Sequence, residues 1–296
     1  MAPVTATELA DSSALLGDPD ALRAHIAEDG YLFFRGLLDA GFIREVGRAG
    51  LGALQRAGWT EPGEDPLVAA PRRPARAVRM RDAFGDPGYL RLVADPGFNC
   101  LPFGTPLSEV MGQLLGPLGV CYPLRVPRVV YPVSVAPRQP GNFCHKDYAV
   151  VQDLFTCWVP MGDVSQAMGG LALVPGSQHR ARVVPRPIER LERGWVSADY
   201  EAGDVLVFHC LTTHAALPNR SGRLRFSGEY RWQLADQAAP RRLVIGPSGQ
   251  EFGTRLFGRT RWWRPVATRL TLFEGGGLEA RAVHPAPPSR FVRFDP

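Results

Sequence analysis

Glycine and proline interrupt this chain so often that many short elements are favoured over a bundle of long helices. The 296 residues include 32 glycines and 28 prolines, about a fifth of the total, and proline inside a helix removes a hydrogen bond and clashes with the preceding turn. This fraction stays below the level of roughly 25–30% that marks low-complexity sequence. The runs between the interruptions are short and rich in β-branched and aromatic residues, which favour strands. The chain is therefore predicted to contain many short strands joined by turns.

The composition is that of a folded protein. Hydrophobic residues account for 45% of the chain and charged residues for 21%, which disfavours a disordered or fibrous protein. A chain of this length buries a core without covalent cross-links, and no domain boundary is visible, so residues 1–296 are predicted to form a single domain. The five cysteines are an odd number without a CxxC pair, so reduced and mostly buried thiols are expected.

The charge pattern and the N-terminus argue against nucleic-acid and membrane partners. The net charge is +5, but the basic residues are scattered and no nucleic-acid-binding signature is present. No apolar run approaches the roughly 18 residues of a membrane span, and the first residues lack a basic start followed by an apolar stretch. The sequence predicts a cytoplasmic protein that binds neither nucleic acid nor a membrane.

The N-terminal part, residues 1–117, is predicted to form a helical layer. Asp18 as N-cap and Pro19 in the first turn mark the start of the first helix. Three glycines weaken the prediction of the second helix. The predicted elements are helices at 19–30, 42–57 and 105–116 and a short strand at 31–35.

Residues 59–81 interrupt this layer with a Pro-, Arg- and Ala-rich stretch that has no periodicity. A long excursion of this kind is typical of a lid that moves when substrate binds. A plain linker has the same composition, so both interpretations stay open.

The second part, residues 118–235, is predicted to form the β core, and residues 236–296 a C-terminal extension of mixed character. Alternating apolar residues and turn signals predict the strands. The β-like runs lie at 125–135, 152–160, 170–174, 203–210 and 223–234.

The chemistry of the chain is concentrated in a short His-x-Asp motif. His145 and Asp147 are two residues apart, and residues i and i+2 of a strand project to the same side, so they can bind one metal ion. His214 follows a later apolar strand and can supply a third ligand if the β half closes into a barrel. Two histidines and one carboxylate on one face of an ion are the ligand set of non-haem Fe(II) oxygenases. By itself the motif is short, and an ordinary surface His–Asp pair is the alternative interpretation.

Four blocks together resemble the phytanoyl-CoA dioxygenase family of Fe(II)/2-oxoglutarate-dependent oxygenases. Residues 29–39 resemble the family's opening strand and helix start, and residues 144–148 resemble its metal motif. Residues 158–179 resemble its central strands with a PGSQH turn, and residues 203–225 resemble its distal histidine with an arginine eleven residues beyond. The resemblance covers residues 18–235 and implies a mainly β fold with flanking helices, a double-stranded β-helix or jelly-roll (cupin-like) barrel.

Carried over to this sequence, the resemblance implies His145, Asp147 and His214 as the iron ligands and Arg225 as the partner of the distal carboxylate of 2-oxoglutarate. An arginine suits that role because its planar fork binds a carboxylate through two hydrogen bonds. Strand alternation places Ser227 on the same side as Arg225, where it can assist. Arg223 is the competing candidate because it lies on the same side of the alternation.

Three other residues invite a functional interpretation. His209 lies among apolar residues and is expected to be a core histidine. His179 ends the PGSQH turn and is expected to bond the backbone. Lys146, the only lysine of the chain, stands where the family typically has glutamine; between two ligands it is expected to point away from them, in a structural or substrate-rim role.

The resemblance implies an enzyme that uses Fe(II), 2-oxoglutarate and O₂ to oxidise an aliphatic C–H bond of a small molecule, in the manner of bacterial natural-product biosynthesis. Hydroxylation is the default reaction, and desaturation or cyclisation is available to the same chemistry. Because a carboxylate stands at position 147, chloride is not expected to replace a ligand, and halogenation is not expected. A catalytically inactive or non-oxidative cupin-like barrel that binds a metal or ligand is the alternative.

Overall fold

The computed structural model describes residues 6–72, 86–103, 105–122, 125–136, 143–147, 154–180 and 194–234 and four short C-terminal strands. The α-helices in these ranges are α1 (Pro19–Asp29), α2 (Ala40–Arg56), α3 (Pro87–Val93), α4 (Pro96–Cys100) and α5 (Pro106–Leu115). The first strands are β1 (Thr7–Glu8), β2 (Tyr31–Phe34), β3 (Gly119–Cys121), β4 (Val126–Val130) and β5 (Phe155–Pro160). Further along are β6 (Leu171–Leu173), β7 (Val196–Ser197), β8 (Val205–His209), β9 (His214–Ala216) and β10 (Arg225–Leu234). The C-terminal strands are β11 (Thr271–Leu272), β12 (Leu278–Glu279), β13 (Ala282–Val283) and β14 (Arg293–Phe294).

Three of these helices, α1, α3 and α4, begin where an aspartate precedes a proline. Asp18 caps α1 by accepting the N–H groups of Asp20 and Ala21, as predicted. The same Asp-Pro signature starts α3 after Asp86 and α4 after Asp95, two helices that the sequence analysis did not identify. Within the described part of the chain, no helix has both the length and the apolar character needed to cross a bilayer.

The strands form two sheets, which confirms a mainly β fold with flanking helices. The larger sheet has the order β2-β8-β5-β10-β3, with β4 also pairing with β10. The smaller sheet has the order β1-β7-β6-β9, and an antiparallel bridge between His145 and His214 adds the segment 143–147 beside β9.

The prediction that these strands close into a barrel is wrong. Across the described residues no strand pairing joins the smaller sheet to the larger one. Side chains make the contact instead. The hydroxyl of Tyr200 donates to the carbonyl oxygen of Leu171 in the smaller sheet, and the centre of its ring lies 4.7 Å from that of Trp158 and 5.7 Å from that of Phe33 in the larger sheet. The sheets therefore pack as a jelly-roll sandwich, because the aromatic layer between them holds them apart at side-chain distance.

Strand alternation in the larger sheet separates two cores. On β10, Phe226 and Tyr230 face the helices and stack beside Phe98 of α4. The intervening residues of β10 face the smaller sheet and are polar: Arg225, Ser227, Glu229 and Arg231. The space between the sheets is thus apolar where Trp158, Tyr200 and Phe33 meet and strongly charged along β10.

The described part of the predicted lid, residues 59–72, is held against the body of the protein. Trp59 and Thr60 are buried, and Thr60 pairs with Pro71 across the base of the excursion. Arg48 of α2 forms an ion pair with Asp65 near its tip. The remainder of the predicted lid, 73–81, lies outside the described residues, as does most of the C-terminal extension 236–296.

Helix α2 approaches the larger sheet so closely that Gly47 cannot carry a side chain. A Cβ there would overlap the main-chain carbonyl oxygen of Met161, whereas a Cβ on Gly52 would meet its nearest neighbour at 3.5 Å, an ordinary contact. We expect Gly47→Ala to lower the free energy of unfolding by about 1–3 kcal/mol through overpacking. Gly52→Ala should raise it by about 0.5–1 kcal/mol through helix propensity. Urea denaturation of both variants tests this, and equal effects would contradict the close approach.

Candidate active site and metal centre

The two histidines of the predicted triad face each other across a pair of backbone hydrogen bonds. The N–H of His145 donates to the carbonyl of His214 at 3.0 Å, and the N–H of His214 donates to the carbonyl of His145 at 2.9 Å. In such an antiparallel pair the two side chains project from the same face. Their ring centroids are consequently 4.3 Å apart.

A backbone carbonyl sets the orientation of each imidazole. His145 Nδ1 lies 2.9 Å from the carbonyl oxygen of Phe143, and His214 Nδ1 lies 3.0 Å from that of Thr212. Because a carbonyl only accepts hydrogen bonds, both Nδ1 atoms carry the proton, and both Nε2 atoms keep a free lone pair. Metal-binding histidines in proteins are usually oriented in this way.

Asp147 completes the cluster from the same face of the 143–147 segment. Its Oδ1 lies 3.9 Å from His145 Nε2, and one potential ligand atom from each of the three residues lies within 4.8 Å of the others. Its other oxygen, Oδ2, is 3.5 Å from both Thr156 Oγ1 and Arg231 Nη2. One carboxylate oxygen therefore faces the histidines while the other faces the larger sheet.

The electrostatics of the cluster suit a divalent cation. Burial by itself raises the pKa of Asp147, but neighbouring positive charge, that of Arg231 above all, outweighs it and holds this pKa well below its ordinary value. Burial lowers the pKa of His214 to about 4. At neutral pH the site thus presents an ionised carboxylate and a neutral His214, the protonation states that metal binding requires.

A chain of charged side chains supports Asp147 from β10. Arg128 of β4 binds Glu229 through two hydrogen bonds of 2.7 and 3.0 Å, and Arg231 Nη2 lies 3.1 Å from Glu229 Oε2. Burial raises the pKa of Glu229, but Arg128 and Arg231 lower it below its ordinary value. The strand alternation that places Ser227 beside Arg225 also places Glu229 and Arg231 on this face of β10, but the sequence analysis assigned neither of them a role.

Arg225 occupies the other end of the same strand face and is almost fully buried, with 2% of its surface exposed. Its Nη1 donates to Ser227 Oγ at 3.3 Å, and its guanidinium lies 5.7 Å from the centre of the Trp158 ring. Its Nε has no hydrogen-bond partner, and no described carboxylate forms an ion pair with it. Burial lowers the pKa of Arg225 to about 10.

The competing arginine, Arg223, lies in a different environment. It is exposed and precedes the first residue of β10, so the strand alternation does not extend to it. It lines an outer cavity of about 210 Å³ beside Arg44 and Arg48 of α2. Arg225 is thus turned into the space between the sheets, and Arg223 is turned away from it.

The remaining candidates lie outside the cluster. His209 is half-buried, stacks edge-on against Phe155 and accepts the N–H of Leu211. His179 Nε2 lies 2.8 Å from the carbonyl oxygen of Ala27, a backbone contact as predicted. Lys146 points away from the two candidate ligands that flank it and donates to the carbonyl groups of Ser177 and Arg180.

The site opens toward solvent on the side of His145. The His145 side chain is 39% exposed and that of Asp147 is 18% exposed, whereas His214 is 5% exposed and packs 4.6 Å from the ring of Phe208. A small molecule can therefore reach the cluster from the side of His145, where the ring of Phe143 is also exposed.

Two facing sheets that bring two histidines and one carboxylate together on a single face are typical of mononuclear non-haem iron enzymes. The family model for phytanoyl-CoA dioxygenase (PhyH) matches residues 26–227. The chain therefore belongs to the phytanoyl-CoA dioxygenase family, and it is an Fe(II)/2-oxoglutarate-dependent oxygenase.

Two curated relatives are similar to this chain in sequence, and a solved structure is similar to it in fold. The chain is 26% identical over 243 residues to the 1-deoxypentalenic acid 11-beta-hydroxylase of Streptomyces arenae, which covers 73% of this chain and 81% of that protein. The Streptomyces exfoliatus enzyme of the same name is 25% identical over 258 residues, with coverage of 78% and 87%. The fold is similar to that of the non-heme alpha ketoglutarate dependent carbocyclase SnoK from nogalamycin biosynthesis, with a TM-score of 0.51, 18% identity and coverage of 92% and 98%.

The lowered pKa of His214 predicts an acid-sensitive apoprotein. Folded, His214 stays neutral down to about pH 4, whereas in the unfolded chain it binds a proton near pH 6.5. The unfolded state binds more protons in this interval, so the free energy of unfolding of the metal-free protein should fall by up to about 3 kcal/mol as the pH drops from 6.5 to 4. Urea denaturation across this range measures the change. His214→Asn should have a shallower slope, and an unchanged slope would contradict the assignment.

Proposed function

We propose that His145, Asp147 and His214 hold Fe(II) and that the enzyme hydroxylates an aliphatic C–H bond of a small molecule. The observation that carries this proposal is the orientation of the two imidazoles. Both Nδ1 atoms contact backbone carbonyls, which leaves Nε2 as the ligand atom of each ring, and one potential ligand atom from each of the three residues lies within 4.8 Å of the others. Three ligands on one face leave the opposite positions of an octahedral ion free for a bidentate co-substrate and O₂.

The donor set fits the iron that the family uses. Imidazole nitrogen and carboxylate oxygen are ligands that Fe(II) accepts, and the ionised Asp147 offsets part of the metal charge. When bound, Fe(II) with 2-oxoglutarate supplies the O₂-dependent oxidation of the substrate, with release of succinate and CO₂. The protein orients the ligands: Thr156 and Arg231 hold the outer oxygen of Asp147, and Phe143 and Thr212 hold the two rings.

Arg225 and Ser227 anchor 2-oxoglutarate in this proposal. A buried guanidinium without an ion-pair partner is unfavourable unless an anion reaches it, and the lowered pKa of Arg225 expresses that cost. The distal carboxylate of a 2-oxo acid supplies the missing charge and can accept from both arms of the fork. Ser227 Oγ accepts from Nη1 and so helps to orient the guanidinium.

The substrate enters across His145, where the cluster is exposed. The Streptomyces relatives are hydroxylases of 1-deoxypentalenic acid, so we infer that this enzyme also acts on a small natural product. An inactive binding protein would not need a buried Arg225 without an ion-pair partner among the described residues, beside an intact triad. Anaerobic addition of Fe(II) and 2-oxoglutarate should produce a weak visible charge-transfer band in the enzyme, and its absence would favour the inactive alternative.

His214→Ala should abolish iron-dependent conversion of 2-oxoglutarate to succinate, because two remaining ligands do not hold the ion. Succinate release, with or without a substrate, is the measurement. His179→Ala is the matched control, since His179 contacts only the turn and α1, and it should retain turnover. Loss of turnover in His179→Ala with retention in His214→Ala would overturn the choice of ligand.

Arg225→Ala should weaken 2-oxoglutarate binding far more than Arg223→Ala. Loss of one partner of a buried charge pair typically costs about 2–5 kcal/mol, whereas the exposed Arg223 faces the outer cavity. The dependence of the charge-transfer band on 2-oxoglutarate concentration measures both affinities. Equal losses, or a larger loss in Arg223→Ala, would contradict the assignment.

A further inference from the structure

Lys146 is buried between the two ligands of the His-x-Asp motif and reaches away from them. It is 4% exposed, and its ammonium donates to the carbonyl oxygens of Ser177 at 2.7 Å and Arg180 at 2.9 Å. No described carboxylate forms an ion pair with it. The charge is therefore held by peptide dipoles at the end of the 3₁₀ turn Ser177–His179.

The same turn holds the chain next to His214. Ser177 Oγ accepts the N–H of Thr213 at 2.8 Å and donates to the carbonyl of Val174 at 2.5 Å. The N–H of Val174 in turn donates to the carbonyl of Thr213 at 3.0 Å. Thr213 is thereby tied to the turn from both of its main-chain polar groups.

These contacts form a closed series of hydrogen bonds that includes both histidines of the proposed metal site. The series runs from Lys146 to Ser177, from Ser177 to Thr213, and back through the main-chain pair of His214 and His145. The Ser177–His179 turn is thus bonded to both segments that carry the proposed ligands, and its geometry helps to set the distance between these segments.

We propose that Lys146 is a positioning residue for the metal triad: by tethering the His-x-Asp segment to the Ser177–His179 turn, it fixes the distance between Asp147 and His214. This inference rests on the proposed metal site. A four-carbon stem and three rotatable donors let lysine reach two carbonyl groups. A residue with a shorter stem, such as glutamine, cannot span to both.

Metal affinity tests the role directly. Co(II) titration of the purified enzyme, followed through visible d–d absorption, gives a dissociation constant without a need for turnover. Lys146→Met keeps the length and apolar stem but removes the donors, and we expect its dissociation constant for Co(II) to rise roughly 10- to 100-fold, the range typical of residues that orient metal ligands. Lys146→Arg, which retains donors, should lose less. Arg44→Met, which removes an equal charge from an exposed pair with Asp163, should bind Co(II) like the wild type.

The outcomes separate this inference from the proposed function. Wild type that binds no Co(II) would overturn the metal site and the tether together. Lys146→Met that binds Co(II) as tightly as wild type would overturn the tether and leave the metal site standing. A fall in thermal stability with unchanged Co(II) affinity would also overturn it, because a merely structural lysine has that effect.

The single lysine provides a second measurement that needs no variant. Acylation of the folded protein by an amine-reactive ester, followed by peptide mass spectrometry, reports on Lys146 with the N-terminal amine as internal reference. We expect Lys146 to react at least tenfold more slowly in the native protein than in urea, and more slowly again with Co(II) bound. Labelling of native Lys146 at the rate seen in urea would overturn the tether even if Lys146→Met failed to fold.

Discussion

The active site depends on two backbone hydrogen bonds between His145 and His214. This single antiparallel pair brings together two segments that are far apart in sequence and makes their imidazoles project from one face. Strand periodicity then places Asp147 on the same face as His145. The carbonyls of Phe143 and Thr212 are only two residues from the rings they orient. The same short stretches of backbone that carry the candidate ligands thus also set the position of the proton on each ring and the direction in which the ring points.

Strand β10 organises the rest of the site through its alternation. One face packs against the helices, and the other presents polar residues to the smaller sheet. Along that face, Arg225 lies where no described carboxylate reaches it, while Arg231 lies between Glu229 and Asp147. The same strand therefore carries one buried cation without a described ion-pair partner and a second cation that is paired with two carboxylates. This difference, set by position along the strand, underlies the anchoring role that we propose for Arg225 alone.

Two predictions show the limits of local patterns. The Asp-Pro signature that identified α1 also starts α3 and α4. These two helices could therefore have been predicted from the sequence, but they are short and show no long apolar periodicity. Whether the sheets close into a barrel could not be predicted from the sequence. Whether two sheets join by strand pairing or by side-chain packing depends on the thickness of the layer between them, and here the rings of Trp158, Tyr200 and Phe33 fill that layer.

The sequence by itself determined the order and spacing of the candidate ligands, the polar face of β10 and the caps of the first helix, because each is a property of neighbouring residues along one element. Only the tertiary structure decided that Arg231 reaches Asp147 across 84 residues of chain, that Lys146 is tethered to the Ser177–His179 turn, and that Arg223 faces outward. Those outcomes depend on how separate elements pack. No local period encodes that packing, since the contacting residues meet only once the core between them has formed.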